Sequence, residues 1–554
     1  MVTAMVTPNG DLAGGALLDA DACYRALQTR DPRFDGRLFV GVRTTGIYCR
    51  PICPARTPKR ENCTFFASAA AAQEAGFRPC LRCRPEKSPD LATWRGTSNT
   101  VSRALALIAE GALDGDAASV ERLAERVGVG ERQLRRLFRE HLGASPVSVA
   151  QTRRVLFAKQ LVHETRMTMT QVALASGFGS VRRFNETFRA LYRRPPRELR
   201  RGAARFAEDA GAPGSGIVLT LSYEPPYDWD AMLEFLSFRA IRGMEQVAGG
   251  VYRRTVAIGD AHGTIAVARR PGAHALAATI RFPRVETLWL IVARIRRVFD
   301  LGADVSTIGA HLAQDPVLAP LLAARPGLRV PGGWDGFELA VRAILGQQIS
   351  VGGARTLAAR LVERYGEPLH GSDPGDELRF VFPTPERLAG ADLASLGMPR
   401  TRAAALGALA RAAADDPRLF GTAQSLDAAI ARLRALPGVG EWTAQYIALR
   451  ALREPDAFPA ADVGLLRALC DAQGRRPTPL ALLARAEAWR PWRAYAAQHL
   501  WTHDAPALSS ARARSRTIEE IDDGTRTRSG TEQIAASSRP RRDADRRPLA
   551  AAGR

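Results

Sequence analysis

What this chain lacks narrows its identity quickly. Its 554 residues contain no run of eighteen apolar residues, so no transmembrane span is expected. The first thirty include Asp11, Asp19 and Asp21 and no apolar segment of signal-peptide type, so no export signal is expected either. Cysteine is sparse. Of seven, four fall in two close pairs, while Cys23, Cys63 and Cys470 have no paired spacing and read as ordinary thiols. That leaves no disulfide framework and points to a reducing, cytoplasmic setting. Residues 506–554 hold eleven Arg, seven acids, no Lys and no aromatics. Such a stretch cannot bury a core and is expected to be a disordered tail.

What is present is a long chain, 46% hydrophobic, with material for several domains. The formal net charge of +21 is unevenly placed. Residues 37–89 contain ten Lys or Arg against three acids, and residues 98–201 contain nineteen against ten. Residues 202–504 are nearly balanced, thirty-four against thirty-one. The phosphate-attracting field therefore lies in the first two hundred residues. A charge excess alone is often a solvated surface. Two adjacent basic regions make double-stranded DNA the better reading.

Three residues separate Cys49 from Cys53, two separate Cys80 from Cys83, and twenty-six separate the pairs. This spacing brings four thiolates to one point, as a tetrahedral zinc ion requires. The block Phe39-Val-Gly-Val-Arg-Thr-Thr-Gly-Ile-Tyr-Cys49-Arg-Pro-Ile-Cys53 is followed by Arg60-Glu-Asn and Ala75-Gly-Phe-Arg-Pro-Cys80-Leu-Arg-Cys83. Together they resemble the N-terminal domain of the Ada adaptive-response family over roughly 35–86. The resemblance implies one Zn2+ on all four cysteines, structural and nucleophile-activating, with Cys49 taking a methyl group from a methylated DNA phosphate. It also implies DNA contacts by Arg43, Thr45 and Arg56. The chemistry agrees, since a zinc-bound cysteine is deprotonated and the thiolate is the nucleophile. Spacing alone does not rank the four, so the choice of Cys49 rests on the resemblance. Methylating one thiolate halves the formal charge of minus two on the centre. Unit charges about 4 Å apart interact by about 4 kcal/mol at an effective dielectric of 20, enough for a switch in DNA affinity. The bland alternative is a purely structural zinc clamp.

The next region is helical and repeats itself. Ser119-Val-Glu-Arg-Leu-Ala-Glu-Arg-Val-Gly128 precedes Glu131-Arg-Gln-Leu-Arg-Arg-Leu-Phe. Thr170-Gln-Val-Ala-Leu-Ala-Ser-Gly177 precedes Val181-Arg-Arg-Phe-Asn-Glu-Thr-Phe. Each unit is helix, glycine turn, second helix. Leu134, Leu137, Phe138, Phe184 and Phe188 would pack inward at helical spacing, and Arg132, Arg135, Arg136, Arg182 and Arg183 would face DNA. With the closing Phe188-Arg-Ala-Leu-Tyr-Arg-Arg-Pro-Pro-Arg-Glu-Leu199, the tandem resembles the AraC-type DNA-binding domain. That implies promoter binding with transcriptional activation through RNA polymerase, and a monomer suffices for a tandem reader.

A Gly, Ala and Pro stretch at 201–216 reads as a flexible linker. A strand is expected from Ile217, a helix from near Trp229, and an antiparallel sheet over Val251–Phe282. Helices joined by short loops fill 330–503. Among them, Leu436-Pro-Gly438-Val-Gly440-Glu-Trp-Thr-Ala444 is a helix-hairpin-helix, whose glycines let the backbone approach a phosphate. Asp462 stands alone in an apolar stretch, and local rules make it an N-cap as readily as a functional carboxylate. With Tyr223–Trp229, Arg342–Gln348 and Trp489–Trp501, these motifs resemble AlkA, the 3-methyladenine DNA glycosylase family, over about 217–504. The resemblance implies that Asp462 supports N-glycosidic cleavage and that Phe235, Trp442, Tyr446 and Trp501 line the pocket for the flipped base. It also implies backbone contacts at Gly438 and Gly440 and an inserting contact at Gln348. An alkylated purine is cationic, which suits aromatic faces.

The chain departs from that pattern in three places. Gln348 replaces a leucine wedge, Val463 a tyrosine, and Ala461 a second aspartate. Strand-cutting relatives carry a lysine where this chain has Trp442, so a monofunctional glycosylase is expected. No Pro-Cys-His-Arg core occurs, so repair of O6-alkylguanine is not expected. The fold class that follows is multidomain and mainly α. It comprises an N-terminal lead-in (1–30), a small α+β zinc domain (31–91) and a tandem helix-turn-helix domain (98–200). After the linker come a small α+β domain with an antiparallel sheet (217–305) and a helix-hairpin-helix glycosylase domain (306–505). The activities expected are those of a glycosylase of the 3-methyladenine type and a single-turnover methyltransferase in a nucleoid-associated cytoplasmic protein. The competing reading is a transcription factor whose zinc is structural and whose glycosylase-like part only grips DNA.

Overall fold

The computed structural model describes residues 19–89, 99–114, 118–201, 216–369, 371, 377–421 and 425–503. The expected tail and nearly all of the expected linker lie outside these residues. The zinc region begins earlier than the division at residue 31 implies. A helix, Ala20–Gln28, is N-capped by Asp19 and buries Cys23, Ala26 and Leu27 against Leu38, Val40 and Cys63. Nine residues with only small or single apolar positions carry too little periodicity to announce that helix. Strands β1 (Phe39–Val42), β2 (Ile47–Cys49), β3 (Cys63–Phe66) and β4 (Arg78–Pro79) form a sheet in the order β3-β1-β2-β4. Only β2 and β4 are parallel.

Two helix pairs build the reader. Val120–Arg126 leads through Gly128 to Glu131–Leu142, and Met169–Ala175 leads through Gly177 to Val181–Tyr192. Both glycines adopt positive φ, 75° and 79°, which is where the sequence calls for a tight turn. Ser119 and Ser180 cap their helices, and Thr168 with Gln171 forms a capping box. Leu134, Phe138, Phe184 and Phe188 are fully buried as expected, and Leu137 is partly buried. The sequence pattern did not reveal the connector helix, Pro146–Glu164, which joins the two units. It is packed on several sides, so Thr152, Lys159 and Gln160 are buried beside Ala150, Val155, Ala158 and Leu161 and no single apolar stripe forms.

The following sheet has β5 (Ile217–Ser222), β6 (Glu245–Ala248), β7 (Val251–Ile258), β8 (Ala261–Arg269) and β9 (Ala275–Arg281). Its order is β5-β9-β8-β7-β6, antiparallel throughout. The alternation over Val251–Phe282 therefore gives the three middle strands. Helix Trp229–Arg239 and a mainly helical region from Gly336, with one short antiparallel pairing of Glu367–Pro368 and Phe380–Val381, complete this half. One apolar core runs without a break from Val155, Phe184 and Phe188 of the reader into Leu219, Val267 and Ile295 of the sheet layer. At about 1.5–3 kcal/mol for each large apolar side chain fully buried, this seam is strong. The Gln160 amide donates to the Thr220 carbonyl at 2.8 Å, and the Thr220 N–H donates to Glu164 at 3.0 Å. Arg103 pairs with Glu454 at 2.8 Å, and Arg37 pairs with Glu224 and Asp304. No helix among the described residues is long and apolar enough to cross a membrane.

Candidate functional site

The parallel register of β2 and β4 pairs Tyr48 with Pro79, which sets Cys49 beside Cys80. Cys53 and Cys83 close the group, and all four Sγ atoms lie within 4.8 Å of one another. A Zn–S bond of about 2.3 Å sets tetrahedral sulfur separations of just this order, and four thiolates are a structural zinc set. The donors around them divide the four. The Arg50 N–H points at Cys83 Sγ (3.4 Å) and the Arg82 N–H at Cys80 Sγ (3.3 Å). Among the described residues no such bond reaches Cys49 or Cys53, and Cys49 is the one cysteine of the four not fully buried. Hydrogen bonds to a ligand sulfur withdraw electron density from it. Cys49 thus combines the lack of an N–H donor with partial exposure. Arg43, Thr45 and Arg56 are all exposed on the loops that flank it. Cys23 and Cys63 sit in the helix-packed core instead, and Cys470 is exposed.

On the reader, Arg132, Arg135, Arg136, Arg182 and Arg183 are exposed on the faces opposite the buried rings. Arg135 holds Glu131 and Arg182 holds Glu186 at 2.8 Å, while Arg136 donates to Gln133 at 3.0 Å. Exposed pairs of this kind are worth about 0.2–1 kcal/mol and exchange readily for phosphate or base contacts.

In the C-terminal half, Asp462 caps the helix Val463–Ala468. Its Oδ1 accepts the N–H groups of Gly464 (2.9 Å) and Leu465 (3.1 Å) and the Trp501 indole (2.8 Å). Its Oδ2 accepts the Trp442 indole at 2.7 Å. The N-cap role that local rules allow is therefore present, and two indoles also reach the same carboxylate. Trp442 and Tyr446 stack at 5.3 Å with 11° between planes, and Trp501 meets Tyr446 edge-on at 6.3 Å. Phe235, from helix Trp229–Arg239, joins them across Arg450.

Two cations here escaped the sequence reading. The Arg450 guanidinium lies 4.6 Å from the Phe235 ring, 5.2 Å from Trp501 and 5.7 Å from Tyr446. Arg239 covers the Phe235 ring at 3.9 Å. Each follows its aromatic by four residues on one helix face, Tyr446 to Arg450 and Phe235 to Arg239, which is the signal available. Burial brings Arg450 down to about 10, leaving it a cation at neutral pH. Burial pushes the Tyr446 phenol up, but Arg450 and Arg239 outweigh it and leave it lowered.

The hairpin Leu436–Gly440 precedes helix Glu441–Arg450. Gly438 has φ of 79°, and a Cβ there would stand 2.5 Å from Ala405, so both conformation and space demand glycine. Gly440 is exposed and faces open space at the helix N-terminus, where a phosphate can approach. Gln348 is exposed at φ of 57°, on a loop clamped by its neighbour. The Gln347 amide donates to the Gly438 carbonyl (2.9 Å) and to Thr443 (3.0 Å). Val463 is 56% exposed and Ala461 is exposed, so neither departure disturbs the fold beside Asp462.

Four family models tile this chain. "Metal binding domain of Ada" matches 22–86, "Helix-turn-helix domain" 123–202, "AlkA N-terminal domain" 218–335, and "HhH-GPD superfamily base excision DNA repair protein" 341–494. A probable bifunctional transcriptional activator/DNA repair enzyme AlkA of Mycobacterium tuberculosis (strain CDC 1551 / Oshkosh) is 41% identical over 485 residues. That match takes in 87% of this chain and 96% of the relative. DNA-3-methyladenine glycosylase 2 of Escherichia coli (strain K12) is 39% identical over 51% of this chain and 96% of its own length. The Escherichia coli (strain K12) bifunctional transcriptional activator/DNA repair enzyme Ada is 34% identical over 29% of this chain and 43% of its own length. With an Ada-type zinc domain, a helix-turn-helix reader and an AlkA-type base-excision fold in one chain, the protein belongs to the family of bifunctional transcriptional activator/DNA repair enzymes represented by the mycobacterial AlkA.

Proposed function

We propose that this protein both senses and repairs alkylated DNA: a methyl group is captured irreversibly at Cys49, and alkylated bases are excised beside Asp462. The observation that carries the reading is the opposite treatment of two anions, a thiolate left without N–H donors and a carboxylate surrounded by four. Cys49, Cys53, Cys80 and Cys83 would hold a zinc ion, which would keep the thiols ionised. Cys49 Sγ then attacks the methyl carbon of a methylphosphotriester, an S–C bond forms, and the C–O bond breaks with its electron pair going to phosphate. The products are a thioether and an ordinary phosphodiester. Arg43, Thr45 and Arg56 are placed to steady the backbone during that approach.

In the cleft, two indoles and two backbone N–H groups hold the Asp462 carboxylate in place, so it is not free to swing toward the substrate. It acts instead as a fixed negative charge. An alkylated purine starts with the positive charge on the base. As the C1′–N bond breaks, the base becomes neutral and the charge moves to the sugar. Arg450 and Arg239 disfavour a cation on the base while Asp462 favours one on the sugar, so both push charge in the direction of cleavage. Water then adds at C1′, loses a proton, and leaves an abasic site. Phe235, Trp442, Tyr446 and Trp501 hold the flipped base, Gly438 and Gly440 grip the backbone, and Gln348 enters the vacated stack. No lysine stands by to form a Schiff base, which supports monofunctional chemistry. The reader would place the protein on promoters, as a monomer recruiting RNA polymerase in the cytoplasm and on the nucleoid.

Intact mass with methylphosphotriester DNA tests the first half. One added methyl on the peptide containing Cys49 is expected, and no added mass with zinc retained would reduce the centre to a clamp. Abasic-site formation from alkylated duplex tests the second, and full activity in Asp462→Asn would remove that carboxylate from the mechanism.

A further inference from the structure

A buried charge lies against the zinc loop, on the neighbouring domain, and the chemistry above makes no use of it. Lys159, on the connector helix, has a side chain 0% exposed, and its partner Glu86 only 1%. The Lys159 ammonium donates to the backbone carbonyl of Cys80 at 2.8 Å and to the Glu86 carboxylate at 2.7 Å. Glu86 also accepts from Arg84 at 3.0 Å. One turn on, Glu164 is approached by Arg84 (3.8 Å) and Lys87 (3.7 Å) while it accepts from Gln160 and from the Thr220 N–H. The second half of the zinc loop is therefore clamped by charge to the helix that joins the two helix-turn-helix units.

We propose that Lys159 is a positioning residue through which zinc occupancy sets the order of the connector helix, and so the mutual placement of the two recognition helices. The proposal rests on the four-cysteine zinc site alone and not on methyl transfer. Residues 80–83 are tied to their sheet by the two-residue pairing of β4 and, through the metal, by Cys49 and Cys53. Loss of the metal leaves the short strand, with Arg50 on the Cys83 carbonyl and Ser88 on Asp35, to hold the Cys80 carbonyl and Glu86 in place. A lysine ammonium at zero exposure cannot stay there once its acceptors loosen, because an uncompensated buried charge must be rehydrated. Rehydration at position 159 requires the helix to open on that face. The link is reciprocal: whatever orders the connector helix, DNA included, must also tighten zinc retention. The other edge of the same interface provides an internal control. There the Ser68 hydroxyl donates to the Leu142 carbonyl (2.6 Å) and the Ser145 N–H donates to Glu74 (3.0 Å), with no zinc-loop residue involved.

The test is amide hydrogen exchange on the full chain, with zinc bound and after chelation, zinc loss being verified by native mass spectrometry. Exchange over residues 155–164 is expected to accelerate about tenfold or more on zinc loss, while residues 146–150 change little. The double variant Lys159→Met with Glu86→Met replaces the buried ions by apolar groups, a change that such pairs commonly tolerate. In it the zinc-dependent difference over 155–164 should vanish. Unchanged exchange over 155–164 in the wild-type chain would overturn the proposal without any variant. So would a double variant that responds as the wild type does, since zinc would then loosen the interface generally rather than through Lys159.

Discussion

The zinc centre and the base cleft both gather donors around an anion, and they do so to opposite ends. At the zinc centre two sulfurs, Cys80 and Cys83, receive an N–H, and the partly exposed Cys49 receives none. In the cleft one carboxylate, Asp462, receives four. On the proposed reading the bare anion attacks, and the one held by four donors stabilises charge nearby. On that reading the placement of N–H groups, more than residue type, divides the proposed stoichiometric acceptor from the proposed catalyst.

The largest effect expected is total: Cys49→Ser should take up no methyl group from methylphosphotriester DNA, read by peptide mass. Methylation moving to Cys80 or Cys83 in that variant would break the comparison, because those sulfurs would not be quenched by their N–H donors. Next, Asp462→Asn should lower the base-excision rate by about 10²–10³ with DNA affinity little changed, the size of losing one preorganised electrostatic group. Trp442→Phe sharpens the contrast by freeing one lone pair of Asp462. A hydrogen bond to a charged group is worth about 1.5–3 kcal/mol, so a fall of about ten- to hundredfold in single-turnover rate is expected. A rise in rate would show that the carboxylate works better as a base than as a fixed charge. Arg450→Met should cost about tenfold on cationic 3-methyladenine, a change of about 1.4 kcal/mol. It should cost less on a neutral lesion, because only the former carries charge that Arg450 drives off the base.

The smallest effect compares the two halves by pH. Burial pulls His163, beside the zinc-loop clamp, and His499, in the glycosylase core, down from 6.5 to about 4. The unfolded chain therefore binds more protons than the folded one between those values. The stability contributed by neutral histidine is fully present above pH 6.5 and is lost as pH falls toward 4. His163→Gln should flatten that loss in the reader and His499→Gln in the glycosylase, read by thermal unfolding at pH 6.5 and 4.5.

Much of this architecture is legible from short-range pattern. The cysteine spacing, the glycine turns at 128 and 177, and the hairpin at 436–440 each encode their geometry within a few residues. The connector helix was not legible, because a helix packed on several sides shows no stripe. Nor were the bonds that give the sites their character. Trp501 reaches Asp462 across 39 residues, and Lys159 reaches Cys80 across 79. Such pairings depend on how whole elements dock, and no local rule contains them. Arg239 and Arg450 lie between these cases, visible at i+4 spacing but indistinguishable there from solvated charges.

The core that runs unbroken from Phe188 to Leu219 and Ile295 has a genetic consequence. Promoter reading and base removal look separable as sequence, yet a cavity opened in that seam would damage both at once. Mutations there should be inherited as combined defects in induction and repair. The two activities also stay at one copy of each per chain, so the cell cannot raise one without raising the other.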